Sequence, residues 1–242
     1  MDLKKVKGIV LKAHDYQDDD KLLSILTLEE GKITVRAKGV KKTKSKLKAF
    51  CQPFCFADFE LARSKGSGFV LTGVNEIENF FSLSSSLEKF NFAFAVIEIA
   101  DKICQENEVY PQIFVEILKC LKQISYTDTN TATCLIKFVL NVLNFEGVNL
   151  NLSRCNNCKS PLISNVFLDL STGEVLCQVC KNFSSIEIEK SVFSALKMIS
   201  MCEYEKLQTI KLSKKILDLT LKIVIQNIQQ KFDIYIKSAE LL

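Results

Sequence analysis

Two closely spaced pairs of cysteines constrain the fold of this chain more than any other feature of its sequence. Cys155 and Cys158 form one Cys-x2-Cys pair, Cys177 and Cys180 form a second, and eighteen residues separate the two pairs. This spacing is typical of zinc sites built from four thiolates. Two residues between paired cysteines let one tight turn present both sulfurs to the same ion, and four thiolates complete a closed tetrahedron. The sequence therefore predicts one structural Zn²⁺ ion with no coordination position left for a reacting water.

The residues between the two pairs predict a small zinc ribbon. Residues 166–176 have the pattern of a hairpin that turns at Thr172 and Gly173. The alternative is two redox-active or merely buried cysteine pairs, but two pairs at ribbon spacing rarely occur by accident. The other cysteines fall at positions with apolar periodicity, so we interpret them as small core residues. They are Cys51, Cys55, Cys104, Cys120, Cys134 and Cys202.

The part of the chain before the ribbon changes its period near residue 80. Five β-type runs occupy residues 6–11, 21–28, 32–37, 54–61 and 68–74. Turn-like segments separate them at 15–20, 29–31 and 63–67. Short strands divided in this way are typical of a small barrel, and we predict a five-stranded OB-type β-barrel. Apolar residues then recur at three and four residues, which predicts three amphipathic helices within 84–146 and further helices at 188–201 and 212–230.

The predicted fold class is therefore an α+β multidomain protein. An OB-fold DNA-binding domain is expected at residues 1–80, and a helical domain at 81–242 with the zinc ribbon inserted at about 150–184. The first residues lack the apolar run of a signal peptide, and the most apolar stretch, 92–97, is much shorter than the roughly 18 residues of a membrane span. We therefore expect a cytoplasmic protein without a membrane partner.

The strongest local charge lies between residues 36 and 48, where seven basic residues occur without an acidic one. The candidate DNA-binding residues are Arg36, Lys38, Lys41, Lys42, Lys44, Lys46 and Lys48. In a five-stranded OB barrel the connection after the third strand lies beside the oligonucleotide face, where positive charge can track phosphates. A lysine run can also be plain solvated surface, but the predicted barrel favours DNA. Tyr16 is a weak candidate for base stacking.

The residues needed for common covalent chemistry are missing, so we predict that the protein is not an enzyme. His14 is the only histidine, and neither a phosphate-binding loop nor a dinucleotide fingerprint occurs. The run Asp18-Asp19-Asp20 is the remaining candidate for a Mg²⁺ site. Successive residues on a strand point to opposite sides, so we interpret these aspartates as a solvated turn.

Several short motifs resemble the bacterial RecO family of DNA repair proteins in order and spacing. They are Gly8 to Lys12, Asp15-Tyr16, Asp20 to Leu22, Leu26-Thr27, Gly31-Lys32, Lys38-Gly39, Gln52 to Phe54 and Leu152 to Cys155 with its partner cysteines. The resemblance covers essentially the whole chain. One departure is Lys159, which stands where the family often has glycine after the second cysteine.

The resemblance implies a recombination mediator of the RecF pathway, associated with the nucleoid. Such a protein binds single- and double-stranded DNA, anneals complementary strands and helps load the recombinase RecA onto DNA covered by single-strand-binding protein. RecR is the expected partner, and the acidic, apolar-ended tail of single-strand-binding protein is expected to dock on the helical domain. Candidate rim charges for that docking site are Lys197, Lys206, Lys211, Lys214 and Lys215. The alternatives are a zinc-ribbon RNA-binding or transcription factor and a metal-dependent nuclease.

Overall fold

A computed structural model of the chain describes residues 3–63, 68–163, 165–169 and 171–242. The turn predicted at 63–67 therefore lies outside the described residues except at Arg63. The predicted α+β class is confirmed, because a closed five-stranded barrel precedes a set of helices that carry a cysteine-containing sheet. None of the described helices is both long enough and apolar enough to cross a membrane.

The N-terminal barrel has the strand order β1-β2-β3-β5-β4 and closes between β4 and β1. The strands are β1 (Leu3–Tyr16), β2 (Asp20–Thr27), β3 (Gly31–Ala37), β4 (Phe56–Arg63) and β5 (Phe69–Glu78). All neighbouring strands are antiparallel except β3 and β5, which pair in parallel at Val35 with Phe69 and Arg36 with Val70. This order and the single parallel contact are those of an OB-like barrel, as predicted.

Alternating apolar residues fill the barrel. Val10, Leu23, Val35, Phe59 and Leu61 are among the completely buried side chains of this core. The connection between β3 and β4 also contributes to the core, because it packs buried residues onto the same cluster. These residues are Val40, Cys51 and Cys55. The basic segment, residues 36–48, is thus attached to the barrel through buried residues of the same connection, which fixes the positions of its backbone.

In the part of the chain that the structure describes, five α-helices follow the barrel, in addition to short 3-10 helices at Phe81–Ser85, Tyr204–Thr209 and Lys237–Leu241. The five α-helices are α1 (Leu87–Ile103), α2 (Pro111–Tyr126), α3 (Thr131–Phe145), α4 (Lys190–Met201) and α5 (Lys214–Phe232). Polar side chains cap the first turns of α1 and α3: the Ser86 hydroxyl accepts from the Lys89 amide at 3.3 Å, and the Asn130 side chain accepts from the Thr133 amide at 3.1 Å. Such caps satisfy backbone donors that the helix itself leaves unpaired.

Helix α3 differs from the amphipathic helix that its sequence predicts, because it is buried around most of its circumference. Even Lys137 is buried, and its ammonium group donates to the carbonyl oxygen of Ser200 at 2.9 Å. Helices α4 and α5 both pack against α3. The prediction of three amphipathic helices was therefore wrong for α3, which is the central helix of this packing.

The chain forms two compact units. One consists of Met1–Ser85 and Val96–Leu118, and the other of Ser86–Ala95 and Lys119–Leu242. Within the first unit, residues in the last turn of α1 and just after it contact the outer barrel face. Ser24 donates to the Asp101 carboxylate at 2.8 Å, and the Asn107 amide donates to the carbonyl oxygen of Lys32 at 2.8 Å.

Candidate metal centre and nucleic-acid interface

The four cysteines of the predicted zinc site lie together. The sulfur atoms of Cys155, Cys158, Cys177 and Cys180 are all within 4.8 Å of one another, and those of Cys158 and Cys177 are 3.7 Å apart. A tetrahedron with Zn–S bonds of about 2.3 Å places its sulfurs about 3.8 Å apart, so the spacing fits zinc. Among the described residues this is the only group of three or more potential ligands that converges. The cluster can hold a metal ion and is compatible with zinc.

Backbone hydrogen bonds shape the two turns that present these sulfurs. In the first turn the Lys159 amide donates to the Cys155 carbonyl oxygen at 3.0 Å, and the Cys155 amide donates to the Ser160 carbonyl oxygen at 2.8 Å. In the second turn the Cys180 amide donates to the Cys177 carbonyl oxygen at 3.1 Å. Lys159 has a φ of 60°, in the left-handed region that favours glycine. The departure noted in the sequence therefore falls on a strained position.

The local environment favours ionisation of one of these thiols and opposes that of another. Hydrogen bonds with the side chain and the backbone of Ser160 lower the pKa of Cys158 to about 6. A hydrogen bond with the Cys158 sulfur, loss of solvation and a hydrogen bond with the Cys177 sulfur raise the pKa of Cys180 to about 12. A divalent cation removes this conflict, since it binds thiolates and displaces their protons.

The ribbon between and after the cysteine pairs is a three-stranded sheet in the order β7-β6-β8. Its strands are β6 (Val166–Asp169), β7 (Val175–Cys177) and β8 (Ser185–Ile188). The predicted hairpin is confirmed by the antiparallel pairing of β6 with β7, and Gly173 in its turn has a φ of +68°. Leu170, inside the predicted hairpin, lies outside the described residues. The third strand, β8, was not predicted.

Asp169 ends strand β6 and organises the polar side of the ribbon. Its buried carboxylate accepts from the Ser171 amide at 2.7 Å, the Ser184 hydroxyl at 2.9 Å and the side-chain amide of Asn182 at 2.5 Å. Burial alone would raise the pKa of Asp169, but these donors outweigh it and hold the pKa well below its usual range. The carboxylate therefore ties the hairpin to the segment that follows the second cysteine pair.

The basic residues predicted to bind DNA fall into two groups. Three of them have acidic partners: Arg36 lies 2.6 Å from Asp20, Lys41 lies 2.8 Å from Asp15, and Lys42 lies 3.6 Å from Asp19. The other four are exposed and form no ion pair within the part of the chain that the structure describes. These four residues are Lys38, Lys44, Lys46 and Lys48. We call residues 38–48 the basic loop.

The interpretation of the three aspartates as a solvated turn is wrong for Asp20, which is buried and paired. Its side chain is only 8% exposed, accepts from the Gly39 amide at 2.7 Å, and is paired with Arg36. These two interactions, the Gly39 amide first, lower the pKa of Asp20 below its ordinary value. The guanidinium of Arg36 also lies 5.1 Å from the centre of the Tyr16 ring, which is 37% exposed. Asp20 thus fixes the start of the basic loop against the turn between β1 and β2.

A groove that the sequence did not predict lies between the ribbon and α4. It has a volume of about 240 Å³, and none of the described residues that line it is acidic. Leu162, Val166 and Ile188 line it from the ribbon, and Phe193, Lys190 and Lys197 line it from α4. We call it the ribbon groove. Lys197, one of the predicted rim charges, lies 5.0 Å from the centre of the Phe193 ring.

The other predicted rim charges lie elsewhere. Lys214 lines a different cavity of about 650 Å³, together with Glu88 and Asp218. Lys206 and Lys215 form ion pairs of 3.6 and 3.7 Å with glutamates, and Lys211 is exposed. Among the five predicted rim charges, only Lys197 therefore lies at a groove that has an apolar floor and no acidic residue among its described lining residues.

The cysteines outside the cluster behave largely as the sequence predicted. Cys51, Cys55, Cys104, Cys120 and Cys134 are buried, whereas Cys202 is partly exposed. Burial raises the pKa of both Cys55 and Cys134 to about 12. Thiols held protonated in this way are poor nucleophiles and poor metal ligands, which fits a role in packing.

Comparison with known proteins agrees with this arrangement of barrel, helices and cysteine cluster. Residues 1–80 match the family described as "Recombination protein O N terminal", and residues 84–240 match "Recombination protein O C terminal". The chain belongs to the RecO family. Proteins named DNA repair protein RecO are similar over most of their length: that of Clostridium perfringens is 30% identical over 86% of this chain and 85% of its own. The RecO protein of Clostridium acetobutylicum is 28% identical over 100% of this chain and 98% of its own.

Family membership supports a role in DNA repair and recombination, with partners in the recombination machinery. It also supports the resemblance that the N-terminal motifs and the cysteine module indicated.

Proposed function

We propose that this protein is a recombination mediator that binds DNA through its basic loop and catalyses no covalent reaction. The observation that carries the proposal is the set of four exposed lysines that form no ion pair within the described residues, on one anchored loop of an OB-like barrel. Such a loop can follow a phosphate backbone, and the affinity then comes from the release of counterions rather than from base recognition. The protein would bind single- and double-stranded DNA and would work beside the chromosome in the cytoplasm.

The neighbouring barrel surface suits unpaired bases better than a rigid duplex. Tyr16, which is exposed, and the half-buried Arg36, whose guanidinium lies against the Tyr16 ring, are next to the start of the basic loop. A base can stack on an aromatic ring or a guanidinium plane whatever its sequence. Lys32 and Thr34 lie nearer the start of β3 and interact with Asp101 and Glu106, respectively. That end of the barrel face is therefore covered by residues of the same unit. We therefore assign single strands to the end of the barrel that carries Tyr16.

We further propose that the four cysteines hold one structural Zn²⁺ ion. Four cysteine sulfurs would fill all four tetrahedral coordination positions of the ion, so the bound ion would stabilise the fold and would have no position for a reacting water. The sheet it organises is small, with two strands of four residues and one of three. Zinc binding worth roughly 10 kcal/mol or more is a large contribution to so small a module.

The ribbon groove is our proposed docking site for the acidic, apolar-ended tail of single-strand-binding protein. Its floor is apolar, and its charged lining residues are Lys190 and Lys197. The larger cavity near α5 is a poorer candidate, because Glu88 and Asp218 line it and would repel an acidic tail. RecR and, indirectly, RecA remain the other expected partners of a mediator.

Strand annealing tests this function directly. The purified, zinc-loaded protein is expected to accelerate annealing of complementary oligonucleotides coated with single-strand-binding protein, without ATP, as followed by energy transfer between dyes on the two strands. Selective binding of RNA over DNA of the same sequence would instead favour an RNA-binding factor. Cleavage of DNA with Mg²⁺ that is lost in Asp20→Asn would favour a nuclease, and either result would contradict the mediator role.

A further inference from the structure

The two walls of the ribbon groove differ in what holds them in place. On one side Phe193 and Lys197 belong to helix α4, which packs against α3 and α5. On the other side Leu162, Val166 and Ile188 belong to the ribbon, whose strands have only three or four residues. Short strands of this length are marginal by themselves. The position of one wall therefore depends on the packing of the helices, and the position of the other depends on the interactions that order the ribbon.

Three of the ribbon residues that line the groove are connected to the cysteine cluster through the backbone, one directly and two through one intervening residue or segment. Val166 is the register partner of Cys177 in the pairing of β6 with β7. Ile188 is in turn the register partner of Val166 in the pairing of β6 with β8. The Leu162 amide donates to the Ser153 carbonyl oxygen at 3.1 Å, in the segment that leads into Cys155. A loss of the fixed cysteine turns therefore loosens all three residues together.

The opposite end of the ribbon is attached to helix α5. The side-chain amide of Asn227, itself buried, donates to the Gly173 carbonyl oxygen at 3.0 Å. The approach is so close that a Cβ atom on Gly173 would lie 2.5 Å from the Asn227 nitrogen. The hairpin turn of the ribbon is thus held against α5 by a hydrogen bond and a close contact.

We infer that metal occupancy of the four-cysteine cluster controls ligand binding in the ribbon groove. The inference rests on the proposed docking of an acidic, apolar-ended peptide there. With the cluster loaded, the ribbon wall is in place before the peptide arrives. Without metal, the peptide must order the ribbon as it binds, and its affinity falls by the cost of that ordering. Linkage is reciprocal, so the peptide raises the affinity of the cluster for metal by the same factor.

Peptide binding to the metal-loaded, chelator-stripped and re-loaded protein tests this control. The probe is a fluorescent synthetic peptide with several aspartates and an apolar C-terminal residue, and the readout is fluorescence anisotropy. We expect the affinity to fall about tenfold or more on stripping and to return on addition of Zn²⁺. In the reciprocal measurement, saturating peptide is expected to tighten Zn²⁺ binding by the same factor in competition with a chromophoric chelator.

Three variants separate the effect of the metal cluster on peptide binding from the effect of the groove itself. Cys177→Ser is expected to bind peptide as weakly as the stripped protein, and Cys202→Ser, outside the cluster, is expected to bind like the wild type. Lys197→Glu is expected to weaken peptide binding while it leaves Zn²⁺ content unchanged. Helical circular dichroism of the stripped protein serves as the folding control, since α3–α5 are expected to persist.

The possible failures are distinguishable. If the loaded protein does not bind the peptide, or if Lys197→Glu binds it normally, the proposed docking site is wrong. If loaded and stripped proteins bind the peptide equally while the variant confirms the groove, metal control is wrong and the docking site stands. Displacement of the peptide by a short oligonucleotide, with the same dependence on Lys197, would mean that nucleic acid occupies the groove and would contradict the peptide assignment.

Discussion

Replacement of the four unpaired lysines of the basic loop by alanine is the sharpest test of the DNA-binding proposal. The variant combines Lys38→Ala, Lys44→Ala, Lys46→Ala and Lys48→Ala, all at exposed side chains that form no ion pair within the described residues. Each phosphate neutralised on a single strand contributes about −0.7 to the slope of log K against log salt concentration. Four contacts therefore give a slope of about −2.8, and the affinity should fall about fiftyfold between about 50 and 200 mM salt.

In the fourfold variant the slope is expected to approach zero, and the affinity in dilute buffer should fall towards the wild-type value at high salt. Anisotropy of a labelled oligonucleotide, titrated at four or more salt concentrations, measures both quantities. The matched control is the double variant Lys41→Ala, Lys42→Ala, since both lysines already have carboxylate partners. An unchanged slope in the fourfold variant, or a slope that falls equally in the control, would refute the assignment of phosphate contacts to the unpaired lysines.

Three further predictions concern stability. Lys159→Gly should relieve left-handed strain of about 1 kcal/mol and tighten Zn²⁺ binding about fivefold in chelator competition; an unchanged or weaker affinity would contradict this. Gly173→Ala should lower the free energy of unfolding of the loaded protein by about 1 to 2 kcal/mol in urea titrations, because its φ of +68° and its contact with Asn227 exclude a Cβ atom; a neutral result would contradict the close docking on α5. Asp20 has a lowered pKa in the folded state, so the stability that its carboxylate provides is complete above the unfolded pKa of about 3.9 and is lost as the pH falls through the folded value. Asp20→Asn should therefore unfold at lower urea than the wild type at neutral pH, with a difference that narrows below about pH 4; a difference independent of pH would rule out the charge as its cause.

Periodicity predicted the type of most elements correctly, but it located the end of β1 poorly. The strand was expected at residues 6–11 and runs to Tyr16. A bulge between Val10 and Lys12 explains the difference, since one extra residue reverses the alternation of inward and outward side chains. Ala13 then packs against the barrel core although the earlier alternation would place it outside. A strand prediction that relies on alternation with a fixed period of two therefore ends at such a bulge.

The cysteine cluster was predictable because its four ligands follow a spacing rule that is local within each pair. The ribbon groove was not, because Leu162, Val166 and Lys197 are brought together only by docking of the ribbon on the helices. The same limit applies to the charges of the basic loop. Whether a lysine is free depends on the fold that places Asp15 and Asp19 beside Lys41 and Lys42. Charge runs can be counted in a sequence, but their partners come from tertiary structure.

The two kinds of lysine in the basic loop need not remain distinct when DNA binds. Lys42 and Asp19 are 3.6 Å apart and both well exposed, and such surface pairs are worth at most about 1 kcal/mol. A phosphate can therefore compete for Lys42, whereas Arg36 stays with the buried carboxylate of Asp20.

The salt slope distinguishes these cases, since recruitment of Lys41 and Lys42 would raise the number of contacts from four to six and change the slope from about −2.8 to about −4.2. Asp15→Asn combined with Asp19→Asn releases both lysines before DNA arrives. The four-contact assignment therefore predicts a slope of about −2.8 for the wild type and about −4.2 for this variant; an equal slope of about −4.2 in both proteins would show that the wild type already uses Lys41 and Lys42 and would contradict the assignment to four lysines.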